Sequence, residues 1–161
     1  MQLVVYLGHI YCMAAHEVRL AHHSDIPWLI EELRKFSEFY GTKVSLFPGD
    51  AIAADKLFQI IKSHVVFVSV RSDERTGFIA GLMSPHFFNE ELLVLTEVLW
   101  WVPEEFRRTR AGYVLLKRFT EHGKEFADWT IMTTECKSKV SDRTLLSMGY
   151  TQYEKSFLLE A

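Results

Sequence analysis

Apolar and polar positions change their period several times along the chain after residue 16. Apolar residues spaced three and four apart, beginning with Ile26, Leu29, Ile30 and Leu33, predict amphipathic helices, and short apolar runs bounded by polar turns predict strands. The predicted strands cover residues 17–21, 65–71, 76–84, 92–102, 129–135 and 150–159. The predicted helices run from an N-cap at Ser24 to Gly41, from Asp50 to Lys62, from the segment after residue 106 to about Phe126, and over residues 141–148.

The element order is therefore β-α-α-β-β-β-α-β-α-β, with loops at residues 41–49 and 85–91. A chain of 161 residues normally forms one domain, and its hydrophobic content of 48% is enough to build a sizeable core. We expect one α/β domain over residues 17–161.

Residues 1–16 form an N-terminal extension of undecided role. The first apolar stretch, Leu3 to Leu7, lacks a preceding basic region, so it makes a poor signal peptide. Gly8 and His9 interrupt it, and it is too short to span a bilayer. It could form an added strand, an oligomerisation arm or a segment upstream of a start at Met13.

Three arginines, Arg107, Arg108 and Arg110, stand where the third long helix is predicted to begin. Free backbone N–H groups and the positive end of the helix dipole disfavour cations there. A bound polyanion resolves the conflict, because N–H groups, dipole and guanidinium groups together make a phosphate site. The alternative is a solvated basic turn.

The stretch from Val98 to Leu116 resembles the central signature of the GNAT superfamily, the acyl-CoA-dependent N-acyltransferases. In that signature the fourth strand ends in an apolar pair and a Val-x-Pro-like turn, followed by Arg/Gln-x-x-Gly-x-Gly/Ala and an apolar helix. Arg107 stands at the Arg/Gln position and Gly112 at the final Gly/Ala, whereas Arg110 replaces the first glycine. The element order, and a late Gly149-Tyr150 pair, extend the resemblance over residues 17–159.

The resemblance implies a mixed sheet with helices on both faces. This sheet would splay between its fourth and fifth strands, with acetyl-CoA in the gap. The backbone of Trp101 and Val102 would then contact the pantetheine arm, although plain core filling is the other interpretation of Trp100 and Trp101. Arg110 would either replace a close backbone approach with a charge contact or narrow the site. The residues expected to cradle the pyrophosphate are Arg107, Arg108, Thr109, Arg110, Ala111 and Gly112.

Glu97 lies inside the apolar run of the long central strand. Strand alternation places it on one face with Leu95, Leu99 and Trp101. A carboxylate on an apolar face must be paired, hydrated or protonated. In the resembled family a glutamate near this position is the general base that deprotonates the acceptor ammonium, so Glu97 is the candidate base. The alternative is a carboxylate that reaches solvent or pairs with a structural cation.

The general acid is not evident in the sequence. Many members of the resembled family have a tyrosine four residues before the late glycine, where this chain has Leu145. Water can protonate a CoA thiolate, so the missing tyrosine does not exclude transfer. Substitutes by position alone are Tyr113, Tyr150, Ser141 and Ser147, and His86 is the histidine that could border an acceptor site.

Composition narrows the possible partners. The net charge of −3 argues against a general nucleic-acid-binding surface, and the sequence contains no membrane-spanning run. Cys12 and Cys136 form neither a disulfide framework nor a metal motif, and none of the seven histidines has metal-ligand spacing, so we expect a cytoplasmic protein with no metal. A homodimer is compatible with the sequence.

The sequence thus predicts a cytoplasmic N-acetyltransferase that moves an acetyl group from acetyl-CoA to a primary amine, on a small molecule or a protein, by direct attack in a ternary complex. Two alternatives remain. One is a degenerate acyltransferase fold that binds CoA or a protein partner without catalysis, which Arg110 and Leu145 would favour. The other is a toxin-type or host-modifying acyltransferase that acts on a macromolecule.

Overall fold

The computed structural model describes residues 15–42, 45–134 and 141–154. In these ranges an α/β fold is built from five strands and four α-helices, with 3₁₀ turns at His23–Asp25 and Glu104–Phe106. The strands are β1 (Glu17–Leu20), β2 (Val65–Arg71), β3 (Glu74–His86), β4 (Asn89–Trp101) and β5 (Trp129–Ile131). The helices are α1 (Ile26–Tyr40), α2 (Asp50–Ser63), α3 (Ala111–Phe126) and α4 (Asp142–Ser147).

The strands form one mixed sheet in the order β1-β2-β3-β4-β5. The first four strands are antiparallel neighbours, and β5 pairs with β4 in parallel after the crossover through α3. That parallel pairing involves only Val94, Leu95 and Thr96 of β4, although β4 continues to Trp101. The mixed sheet and its splay between the fourth and fifth strands, both implied by the resemblance, are confirmed.

Two apolar clusters hold helices on opposite faces of the sheet. On one face, Leu115 and Phe119 of α3 pack with strand residues that include Phe67 and Leu95. On the other face, Leu29 of α1 and Leu57 of α2 are in a cluster with Phe78 and Trp101 among others. The alternation of β2 explains this division, because consecutive side chains point to opposite faces.

Helix α3 approaches β5 closely at Gly123. A Cβ atom added at Gly123 would lie 2.0 Å from Oγ1 of Thr130, so a larger residue cannot be accommodated without movement. The missing side chain therefore lets the last turn of α3 pack directly against the short parallel strand.

The start of α1 differs from the prediction that Ser24 is its N-cap. Ser24 lies inside the 3₁₀ turn, which is capped by His22, and α1 itself begins at Ile26. The fully buried Asp25 fixes this start: its carboxylate accepts the His22 N–H at 2.8 Å and two hydrogen bonds from Arg19 at 2.7 and 2.9 Å. Arg75, from β3, donates a further bond at 2.7 Å. The sequence pattern missed the correct cap because two of the groups that hold Asp25 come from strands.

The prediction of a loop at residues 85–91 is also wrong. β3 continues to His86 and β4 starts at Asn89, so Phe87 and Phe88 form the two-residue tip of a hairpin. Both rings are almost fully exposed. Pro85 and the polar run after Phe88 resemble a loop in composition, but cross-strand pairing extends the hairpin past the core.

The end of the chain is only partly covered. The strand predicted at 129–135 ends at Ile131, and residues 150–154 of the last predicted strand are not in a strand. Residues 155–159 of that strand lie outside the described residues, as do the extension up to residue 14, Cys12 and Cys136.

Candidate active site

Glu97 lies at the point where β4 and β5 separate. The last β4–β5 pair is Thr96 with Ile131, and beyond it the N–H of Thr133 donates instead to Oε2 of Glu97 at 3.3 Å. The side chain of Glu97 is only 8% exposed. A carboxylate thus takes the place of the next backbone acceptor, at the fork of the split sheet.

A β-bulge follows Glu97 directly. The register of β4 on β3 shifts between Glu97 and Leu99, which leaves Val98 as the extra residue, and Val98 is 42% exposed. Because of the bulge, Leu95 packs on the α3 face whereas Leu99 and Trp101 pack on the α1 face. The prediction that Leu99 and Trp101 lie on the same face as Leu95 is therefore wrong, since an inserted residue reverses the alternation beyond it.

A cleft of about 220 Å³ opens at this fork. One wall is β4 at residues 97–100, and the other side is formed by Phe36 and Tyr40 of α1 and by Thr133. Glu97 is the carboxylate in this lining. The cleft therefore combines an acid–base group with aromatic walls next to strand backbone that β5 does not pair.

The side chain of Trp101 is structural. It is 6% exposed, and its Nε1–H donates to Oε2 of Glu32 at 2.9 Å. The other oxygen of Glu32 accepts from Nζ of Lys35 at 2.7 Å, and this hydrogen bond raises the pKa of Lys35. This side chain therefore fills the core, and Trp101 is not among the described residues that line the cleft.

Arg107 is held against the end of β4. Its Nε–H donates to the carbonyl oxygen of Val102 at 3.0 Å, and its Cζ lies 4.5 Å from the ring centroid of Phe39 and 4.6 Å from that of Trp101. The guanidinium therefore packs against the faces of two neighbouring rings, whose centroids are 5.6 Å apart. Its contacts join the turn to β4 and α1.

Residues 107–110 form a turn before α3, and Arg110 is the N-cap residue. Thr109 shapes this turn: its hydroxyl donates to the Phe106 carbonyl at 2.7 Å and accepts the Ala111 N–H at 3.2 Å. Arg108 and Arg110 are exposed, whereas Ala111 is buried and Gly112 is half-buried. Within residues 15–42, 45–134 and 141–154, no intramolecular acceptor is found for the N–H groups of Arg108, Arg110, Gly112 and Tyr113.

The candidates for a general acid lie away from the cleft lining. The Tyr150 hydroxyl forms a hydrogen bond with Thr120 of α3 at 2.9 Å, and burial raises the pKa of Tyr150. Tyr113 is 47% exposed beside Arg110. Ser141 and Ser147 bond within α4. His86 packs against Trp129, with ring centroids 5.3 Å apart, and is not part of the lining.

Sequence reasoning missed three features of the site. Tyr40, the last residue of α1, and Thr133, which follows β5, both line the cleft. No local sequence motif marks either residue. The stacking of Arg107 on Phe39 is equally invisible, because 68 residues of chain separate the two. An aromatic-rich end of α1 preceding Gly41 is the only sequence signal that could have suggested an aromatic wall.

The described residues contain neither a membrane-spanning helix nor a metal-binding cluster. Neither α1, α2, α3 nor α4 is long and apolar enough to cross a membrane. Within the same parts of the chain, no group of three or more His, Cys, Asp or Glu side chains is arranged to hold a metal ion.

A scan against protein-family models and a comparison with curated protein sequences give no match. Solved structures do match. A probable acetyltransferase has a TM-score of 0.71 at 20% identity, with 90% of this chain and 97% of that chain covered. A transcriptional regulator from Bacillus halodurans C-125 has a TM-score of 0.73 at 15% identity, covering 91% and 100%. A predicted acetyltransferase with acetyl-CoA from Clostridium acetobutylicum has a TM-score of 0.65 at 14% identity, covering 91% and 96%.

These similarities establish the fold. The chain has the fold of the GNAT-type acetyltransferases, as the sequence resemblance implied. At identities of 20% or less the similarity is one of architecture, so activity has to be argued from the residues of the cleft and the turn.

Proposed function

We propose that this protein is an N-acetyltransferase that transfers the acetyl group of acetyl-CoA to a primary amine in a ternary complex. The observation that carries the proposal is the placement of Glu97, whose buried carboxylate stands at the fork of β4 and β5 and lines the cleft. A carboxylate in that position can accept a proton from an amine held in the gap.

The turn before α3 fits the pyrophosphate of CoA. The backbone N–H groups of residues 108, 110, 112 and 113 have no acceptor in the described residues. They lie at the N-terminal end of α3, where the helix dipole is positive. The exposed guanidinium groups of Arg108 and Arg110 add charge. Arg107 is a positioning residue, because its guanidinium holds the Val102 carbonyl and two rings.

Acetyl-CoA would supply the acetyl group as an activated thioester. The backbone of Trp101 and Val102 would hold the pantetheine arm along the part of β4 that β5 leaves unpaired. N–H groups of β4 would polarise the thioester carbonyl, as oxyanion-hole donors do. Most of the rate gain would come from holding the two substrates together in one cleft.

Glu97 would take the proton that the acceptor ammonium must lose before its nitrogen can attack. Its hydrogen bond from the Thr133 N–H helps to fix the orientation of the carboxylate. Transfer forms the N–C bond, breaks the C–S bond and releases CoA. Water would protonate the thiolate, since none of the four candidates Tyr113, Tyr150, Ser141 and Ser147 is among the described residues that line the cleft.

The proposal is tested with purified protein and acetyl-CoA. A ligand at about one hundred times its Kd stabilises a protein by about 2.7 kcal/mol, so the melting temperature should rise by about 5–10 °C. Labelled acetyl-CoA is then supplied with polyamines, amino acids, aminoglycosides and peptides, and the release of free thiol is followed with and without acceptor.

Acceptor-dependent thiol release with a labelled amide product would support the proposal. A melting shift without turnover on any acceptor would favour the degenerate CoA-binding alternative, and the absence of both would overturn the CoA site as well. The proposal also places the protein in the cytoplasm, which cell fractionation tests. It gives the acceptor as an amine of a small molecule or a protein, which the acceptor screen tests.

A further inference from the structure

Trp100 carries a buried polar atom with no partner. Among the buried side-chain nitrogen and oxygen atoms of the described residues, its Nε1 is the one without a hydrogen bond. A buried donor left unpaired costs about 1–3 kcal/mol, so native proteins seldom retain one without a reason. The next residue shows the contrast, because the indole N–H of Trp101 is satisfied by Glu32 at 2.9 Å.

The position of Trp100 explains what could use this donor. Trp100 lines the cleft beside Glu97, and its ring packs on the α3 face of the sheet. A Cβ atom built at Gly112 would lie 3.7 Å from Cζ2 of Trp100, and Cζ2 is two bonds from Nε1. Trp100 therefore belongs to the cleft lining, and its indole lies beside the first turn of α3, where the N–H of Gly112 also lacks an acceptor among the described residues.

Resting on the proposed function, we propose that the indole N–H of Trp100 is a positioning donor for the cofactor. It donates a hydrogen bond to an oxygen of CoA where the molecule passes from the arginine turn onto β4. The oxygen belongs either to the pyrophosphate or to an amide carbonyl of the pantetheine arm. In both cases the ligand provides a hydrogen-bond acceptor for the indole N–H, which has none among the described residues.

The wild-type protein tests this directly by NMR. The chain has four tryptophans, so ¹⁵N-indole labelling gives few signals, and Trp100→Phe assigns the one of interest. Addition of CoA should move the Trp100 N–H proton downfield, as expected for a new hydrogen bond. The Trp101 signal is the internal reference because its N–H already has a partner. A Trp100 signal that moves no further than that of Trp101 would overturn the proposal.

Calorimetry provides the second test. Trp100→Phe removes the N–H and keeps an aromatic ring, and CoA should bind about tenfold more weakly. Trp129→Phe, at a partly exposed indole that does not line the cleft, is the matched control and should bind CoA like the wild type. ADP distinguishes the two acceptors: its affinity falls in the variant if the pyrophosphate accepts, and stays unchanged if the pantetheine arm accepts.

The two proposals fail in different ways. If the wild type binds CoA and Trp100→Phe binds it equally well with an intact fold, only the role of Trp100 is overturned. If the wild type binds no CoA, the cofactor site itself is overturned and Trp100 with it.

Discussion

Replacing Glu97 by glutamine removes the charge of the candidate base. The side chain keeps its size, and its amide oxygen can still accept the Thr133 N–H that Oε2 accepts at 3.3 Å. Removal of a general base typically lowers turnover by about 10²–10⁴-fold, which corresponds to roughly 2.7–5.4 kcal/mol in the activation barrier. CoA affinity should stay near the wild-type value, because Glu97 acts on the amine.

The assay is steady-state turnover with acetyl-CoA and an amine acceptor between about pH 6 and 9, around the range where such bases titrate. The deficit of Glu97→Gln should shrink as the pH rises, since a larger share of the acceptor is then already neutral. Glu91→Gln is the matched control, because Glu91 lies on the same strand and is exposed. Wild-type turnover by Glu97→Gln across this range would refute the role of Glu97, and a loss that does not change with pH would contradict proton removal as its task.

Three further substitutions test the turn and the fold. Arg110→Gly should weaken CoA binding and flatten its salt dependence if the guanidinium pairs with phosphate, whereas tighter binding in calorimetry would show that Arg110 obstructs the site. Burial alone would raise the pKa of Asp25, but hydrogen bonds from two arginines and a backbone N–H hold this pKa well below its usual range. The ionised carboxylate therefore stabilises the folded state above about pH 4, and this contribution is lost as the pH falls further. Asp25→Asn should therefore cost about 3 kcal/mol in urea denaturation at neutral pH and less in acid, and an equal cost at both would contradict the assignment. Gly123→Ala should destabilise by about 1–3 kcal/mol because its Cβ would meet Thr130 at 2.0 Å, whereas Gly112→Ala, with contacts of 3.6 and 3.7 Å, should not, and equal melting temperatures would argue against this α3–β5 packing.

The helices and strands with a regular apolar period were predictable from the sequence. The irregularities that depend on how two strands pair were not. The apolar stripe from Ile26 onward and the run before Arg71 give α1 and β2 nearly to the residue, because burial on one face dictates the spacing of apolar residues. The inserted residue at Val98 leaves no trace in the sequence, since the run it interrupts is apolar on both sides. A bulge is decided by how β4 pairs with β3, and pairing is a property of two strands.

The candidate site divides in the same manner. The sequence marks Glu97 as a carboxylate in an apolar run, and it marks the arginines as charges at the wrong end of a helix, because each conflicts with its local surroundings. It gives no hint that Arg107 stacks on Phe39 or that Thr133 donates to Glu97. Those contacts join segments that are distant in the chain, and only the fold brings them together.

The stacking of Arg107 has a consequence for the thermodynamics of ligand binding. Ordering a loop residue costs about 1–2 kcal/mol of backbone conformational entropy, which a flexible phosphate loop would have to lose each time a ligand binds. Here the rings of Phe39 and Trp101, the Val102 carbonyl and the Thr109 hydroxyl already fix the turn in the folded protein. The entropic cost of ordering the turn is therefore part of folding and not of binding. Under the proposed function, the N–H groups of the turn are already oriented before a polyanion binds, so more of the interaction energy contributes to affinity.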